Sequence, residues 1–257
     1  MVNDEFYELI GLPDRLTPIN RKIDKKMFFE QMEYSSKEKQ QFTQWIDRIT
    51  MAYLLAPQNI NIHPYVDEDK KYENVTFITV SLKKELTMKQ VKQVAVLLHE
   101  SLPNPTVFCF TSEEKILLCT ALKRLNKNNL SKVIIEELKI SPWLGLQNND
   151  DTTVKFFKCI HISSLSFTTF YNFYSDFHYA LRLLEVAENT GDFVSYEEEE
   201  LNRVTMLLEQ ISVLEMEIDR YRKLMKKESQ FNKKVEYNVK VQELKQQCRT
   251  IKRELNL

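Results

Sequence analysis

The residues best suited to chemistry are four histidines, four cysteines and one charged turn that leads into a strand. His63, His99, His161 and His178 lie far apart, and none sits in the HxxxH or HxH pattern that brings two imidazoles to one metal. Cys109, Cys119, Cys159 and Cys248 are scattered without CxxC spacing, so they suggest neither a disulfide framework nor structural zinc. They read as reduced, packed thiols. Cys159 and His161 are two apart on a segment read as helical, which turns them to different faces. Asp67, Glu68, Asp69 and Glu73 precede a strand that ends at Lys83 and Lys84, the outline of a metal-dependent nuclease site. Such a site needs an acid and then an acid-x-lysine on the adjacent strand to hold Mg²⁺. Thr79, Val80, Ser81 and Leu82 precede the lysines instead, and the second acid is missing. Nucleophile-elbow, phosphate-loop, dinucleotide and zincin motifs are all absent. The sequence therefore names no catalytic residue, no metal ligand and no cofactor.

Cations gather in two places. Arg21, Lys22, Lys25 and Lys26 run directly into Met27-Phe28-Phe29, either as a solvated run entering a buried element or as a patch facing phosphates. Arg220, Arg222, Lys223, Lys226, Lys227, Lys233 and Lys234 cluster near the end of the chain. These eleven residues are the candidates for contact with nucleic acid or a partner. The formal net charge of −1 gives no global pull toward polyanions, so any such contact is local.

The elements that must position these groups follow from periodicity and caps. A short helix is expected over Asn3–Ile10, stopped by Gly11 and Pro13. Ser35-Ser36-Lys37-Glu38 and Thr87-Met88-Lys89-Gln90 have the form of capping boxes. The first predicts a helix with Phe42, Trp45, Ile46 and Ile49 on one face, and Met51–Ala56 as a strand or its continuation. The second predicts a helix that buries Val91, Val94, Ala95 and Leu98. Asn59–Ile62 alternates as a short strand does. Val75–Leu82, Thr106–Phe110, Lys115–Ala121 and Lys132–Ile140 read as further strands, with a hairpin at Ser112-Glu113-Glu114. This order predicts an α+β domain over residues 1–145, with a mostly antiparallel sheet and helices on one face. Asn148-Asn149-Asp150-Asp151 is a polar break before connecting helices over 146–194. The second of these, Ser166–Glu188, carries an aromatic stripe, Phe167, Phe170, Tyr174 and Phe177, read as packing rather than as a cofactor box.

Residues 195–257 contain no Gly or Pro. Val204, Leu207, Ile211, Leu214, Ile218, Tyr221 and Met225 fall on one heptad-like seam. The apolar phase then shifts to Tyr237, Val241, Leu244, Cys248, Ile251 and Leu255, a jump that separates two helices. Residues 196–219 hold eight acids against Arg203, whereas residues 220–257 hold twelve Lys or Arg against four Glu. An antiparallel coiled-coil hairpin with a basic end is expected.

Several segments resemble an uncharacterised bacterial family. They are Asn20–Phe29, Leu55-Ala56-Pro57 with Asn61-Ile62, the strand end Leu82-Lys83, Leu102-Pro103-Asn104-Pro105, Lys123, and Lys227–Asn238. The family is a domain of unknown function commonly encoded beside SNF2-type helicases and DNA methyltransferases in defence or restriction-like loci. The resemblance implies a cytoplasmic accessory role around a helicase or methyltransferase, and it supplies no catalytic residues. The first expectation is thus an adaptor that docks such a partner through helical surfaces and associates with itself through the tail. A metal-dependent nuclease and a direct nucleic-acid-binding module are the alternatives. No apolar run reaches the roughly 18 residues of a membrane span, and the first residues lack the form of a signal peptide.

Overall fold

The computed structural model describes residues 2–30, 35–127, 129–147 and 150–255; Asn148 and Asn149 of the polar break lie outside them. The chain divides into two compact units, Met1–Leu181 and Arg182–Leu257.

The first unit is built on a mixed sheet of β1 (Arg21–Ile23), β2 (Ile46–Leu55), β5 (Val75–Leu82), β6 (Thr106–Ser112), β7 (Lys115–Asn126) and β8 (Asn129–Ile140), hydrogen-bonded in that order. A short β9 (Leu144–Gly145) also pairs with β7, and β3 (Tyr65–Val66) with β4 (Lys71–Tyr72) forms a separate hairpin. All pairs are antiparallel except β5 with β6. That parallel pair needs a crossover, which α4 (Met88–Ser101) supplies. The capping boxes expected at both Ser35 and Thr87 are present, starting α3 (Ser36–Trp45) and α4.

Helices cover both faces of the sheet rather than one. Ile78, Val80, Phe108, Phe110, Leu117 and Cys119 pack with Val91, Val94, Ala95 and Leu98 of α4, and with Phe42 and Trp45 of α3. On the opposite face α1 (Val2–Leu9) brings the Tyr7 hydroxyl within 2.8 Å of Thr79 Oγ1. There α6 (Phe170–Thr190) sets Phe177 edge-on to Phe77 at 5.8 Å. The Tyr174 hydroxyl donates to Thr106 O and accepts from Ala121 N, both at 2.9 Å. The central strands are apolar on both sides because both sides are covered: every residue of Val75–Val80 and of Thr106–Ser112 is buried.

Two local readings differ from the sequence pattern. Ile46 and Ile49 belong to β2 and not to the preceding helix, because the chain turns extended at Ile46 (ψ 130°), directly after Trp45. Asn59–Ile62 is a turn and not a strand: the Asn59 side chain accepts from Ala56 N and donates to Leu54 O, which reverses the chain after Pro57. In the connecting region the helices are α5 (Asp151–Cys159), capped by Asp150, and α6.

The second unit contains two long helices, α7 (Glu198–Lys227) and α8 (Phe231–Glu254), joined by Glu228-Ser229-Gln230. The Glu228 carboxylate accepts from Ser229 N and Gln230 N and so fixes the reversal. The contacts between the helices run in opposite senses. Tyr221 meets Tyr237 with ring centroids 6.0 Å apart. Ile218 packs with Val241 and Leu244. Lys252 Nζ lies 2.9 Å from Glu215 Oε1, and Arg203 pairs with Glu254. Val204, Leu207, Ile211 and Ile218 are buried, as are Val241, Leu244 and Cys248. Both apolar phases expected from the sequence point inward, one from each helix.

Candidate functional site

The nuclease outline is not assembled. Asp67 Oδ1 accepts from Asp69 N at 2.8 Å and from Lys70 N at 2.6 Å, and Oδ2 accepts from the Tyr65 hydroxyl at 2.8 Å. Those bonds close the β3–β4 turn and hold the Asp67 carboxyl below its usual range, the Tyr65 bond contributing most. Asp69 pairs with Lys127 at 3.3 Å and Glu73 with Lys71 at 3.1 Å. The Lys83 ammonium is elsewhere, donating to Thr43 O at 3.1 Å. Among the described residues no group of three or more His, Cys, Asp and Glu could hold a metal ion.

Two polar constellations that the sequence did not reveal lie inside the first unit. Lys123 is buried on β7, following Leu117, Cys119 and Ala121 in the inward alternation. Its ammonium donates to Leu102 O at 2.7 Å and Asn104 O at 3.3 Å, tying the Leu102–Pro105 turn to the sheet. Burial pulls Lys123 down to about 7, opposed by the nearby Cys119. On the same face His99 Nε2 lies 3.4 Å from Cys119 Sγ. Burial, then the charge on Lys123, holds His99 well below the usual imidazole range.

On the opposite face Thr120 Oγ1 is hydrogen-bonded to His178 Nδ1 at 2.8 Å. His178 Nε2 is 3.2 Å from Glu137 Oε2, and Lys139 Nζ is 3.3 Å from Glu137 Oε1. Hydroxyl, imidazole and carboxylate stand in the order of a nucleophile, its base and an orienting group. Thr120 is 0% exposed and His178 2%, so no substrate reaches the hydroxyl. The chain instead fastens α6 to β7 and β8. The one signal for it in sequence is polar residues inside otherwise apolar strands.

The first basic group separates into two kinds of residue. Arg21 and Lys22 stand exposed on the edge strand β1, and Lys26 is exposed on α2 (Lys25–Glu30). Lys25 is half-buried and donates to Ile46 O. Together with Lys83 on Thr43 O it supplies positive charge to the C-terminal carbonyls of α3, where the helix dipole favours a cation. Burial, then the nearby Lys83 charge, lowers Lys25 from the ordinary lysine value. Lys25 is thus engaged at the end of α3, and among the described residues Arg21, Lys22 and Lys26 form no ion pair.

The second basic group stays together. Arg220, Arg222, Lys223, Lys226 and Lys227 are exposed along the last turns of α7, and Lys233 and Lys234 on the first turn of α8. Arg222 pairs with Asp219 at 3.2 Å; among the described residues the other six form no ion pair. At the centre Phe231 is 77% exposed, and Val235 and Val239 continue its stripe at four-residue steps along the outside of α8. Near the other end of α7 a groove of about 690 Å³ is lined by Met206, Gln210, Val213, Leu214, Thr250 and Ile251, among others. These exposed cations, the exposed stripe of α8 and this groove thus all lie on the two long helices.

The chain is thus an α+β body followed by a pair of long helices. It belongs to the family described as Domain of unknown function (DUF4391), whose model matches residues 10–248. Neither a curated protein nor a solved structure matches the chain. No helix among the described residues is long and apolar enough to cross a membrane.

Proposed function

We propose that this protein is a non-catalytic docking component, working in the cytoplasm. In this reading α7 and α8 form an antiparallel coiled-coil hairpin that holds out a basic, aromatic end to a partner protein. The observation that carries it is Phe231, 77% exposed near lysines that form no ion pair among the described residues. A large exposed apolar side chain close in sequence to several exposed cations is the composition of a recognition surface rather than of a solvated helix end. The outer stripe Phe231, Val235 and Val239 supplies the apolar contact, and Lys226, Lys227, Lys233 and Lys234 select an acidic counterpart. The proposed partner is a helicase or DNA methyltransferase encoded nearby, within a defence or restriction-like system, as the resemblance of Asn20–Phe29 and Lys227–Asn238 implies.

The test is co-purification of the full-length chain with those neighbouring gene products. Phe231→Ser combined with Lys→Glu changes at 226, 227, 233 and 234 removes the partner while leaving the helical circular dichroism unchanged. Retention of the partner by this variant refutes the reading. A second reading, direct nucleic-acid binding, draws on the same unpaired lysines. It predicts binding of an oligonucleotide by the isolated protein, with an affinity that falls steeply and linearly on a log–log salt plot.

A further inference from the structure

We propose that α7 carries a second seam through which two copies of the chain associate as an antiparallel four-helix bundle. The inference rests on the coiled-coil reading of the two long helices; its seam shares Lys227 with the docking end, whereas Phe231, Val235 and Val239 lie on α8 outside it. Met206, Gln210, Val213, Glu217, Arg220, Leu224 and Lys227 follow one another at steps of four, three, four, three, four and three residues. That is a full heptad spacing, each member from Met206 to Leu224 standing one residue before a member of the seam that faces α8, so the two seams are turned by about 100° from each other. The apolar members are exposed: Met206 by 51%, Val213 by 53% and Leu224 by 37%. Glu217 and Arg220 form no ion pair among the described residues. The groove of about 690 Å³ opens along this seam, with Met206, Gln210 and Val213 on its α7 wall and Gln247, Thr250 and Ile251 on its α8 wall.

The occupant is identified by the seam itself. In an antiparallel pair each a-type position of one helix meets a d-type position of the other. One alignment of α7 with its copy sets Val213 against Leu224 of the second copy, and Glu217 against Arg220. Gln210 then meets Lys227. The twofold axis repeats each layer, so the seam's one acid meets its one arginine twice, and apolar meets apolar twice. A shift by one heptad places Val213 opposite Glu217, where apolar surface meets charge. A parallel arrangement sets Glu217 on Glu217 and Arg220 on Arg220. Charge thus selects the antiparallel register, and the copy's Leu224 seals the mouth of the groove.

The experiment is sedimentation equilibrium of the full-length chain, with crosslinking to fix the register. The wild type shows a concentration-dependent monomer–dimer equilibrium. Glu217→Arg and Arg220→Glu, each placing like charges in both central layers, weaken it about tenfold or more, and the double exchange Glu217→Arg/Arg220→Glu restores it. A Val213→Cys/Leu224→Cys variant oxidises to a dimer whose linked peptides join position 213 to position 224. Joining within one copy is excluded, because the two positions are about 16 Å apart on one helix. A monomer at every concentration overturns the proposal. Equal loss in the double exchange, or linkage of 213 to 213, overturns the register and with it the proposal. Neither result touches partner capture by the basic end, which is read by separate variants.

Discussion

Lys123 gives a prediction whose size follows from its surroundings. Its amine is buried and sits at about 7, against 10.5 for a free lysine. Between these values the unfolded chain holds a proton that the folded chain lacks. Stability therefore rises with pH across that window and is flat below it. The full slope is about 1.4 kcal/mol per pH unit. In the upper part of that window Cys109 and Cys119 act in the opposite sense, since burial pushes both thiols up and the unfolded chain loses those protons first. The clean interval is therefore pH 7.0–8.5, where Lys123 contributes roughly 1–2 kcal/mol. Urea unfolding of the wild type and of Lys123→Met at both pH values is the assay. The wild type gains that amount relative to the variant, which has a similar length and no titrating group. Parallel pH profiles for the two proteins would mean that the folded lysine keeps its charge and would refute the reasoning.

Two further substitutions test the frame around the sheet. Gly11 has φ of +74°, and an added Cβ would lie 2.6 Å from His161 Nε2. Gly11→Ala combines backbone strain with a clash and lowers the unfolding free energy by about 1–3 kcal/mol in chemical denaturation. An unchanged midpoint would contradict the close approach. Tyr174→Phe removes the donor to Thr106 O and the acceptor for Ala121 N inside the sheet face. It costs about 1–3 kcal/mol by the same measurement, because both backbone groups stay buried without a partner.

Local grammar made much of this fold legible. The S-x-x-E and T-x-x-Q boxes place their helix starts correctly, since a cap is decided by four adjacent residues. The two apolar phases of the tail predict which residues face inward, from Val204 to Cys248. Ile46 and Ile49 were misleading because their spacing from Phe42 and Trp45 also suits a helix. Only pairing with Leu82 and Val80 of a strand far along the chain makes them extended. The second helical layer depends on the same kind of distant contact, such as Tyr7 with Thr79. Lys25 belongs to a basic run in sequence and to the C-terminus of α3 in space, a placement that composition alone does not reveal. The Thr120–His178–Glu137 chain was beyond reach for the same reason: its members come from two strands and a helix.

The central claim is that the basic, aromatic end of the helical arm is a docking surface for a protein partner. Its most direct test is quantitative co-purification of the proposed helicase or methyltransferase partner with full-length protein, comparing the wild type with Phe231→Ser alone. A buried aromatic anchor is worth about 2 kcal/mol or more at an interface. Partner retention is therefore predicted to fall at least tenfold, with the oligomeric state unchanged. Undiminished retention by Phe231→Ser would contradict the account.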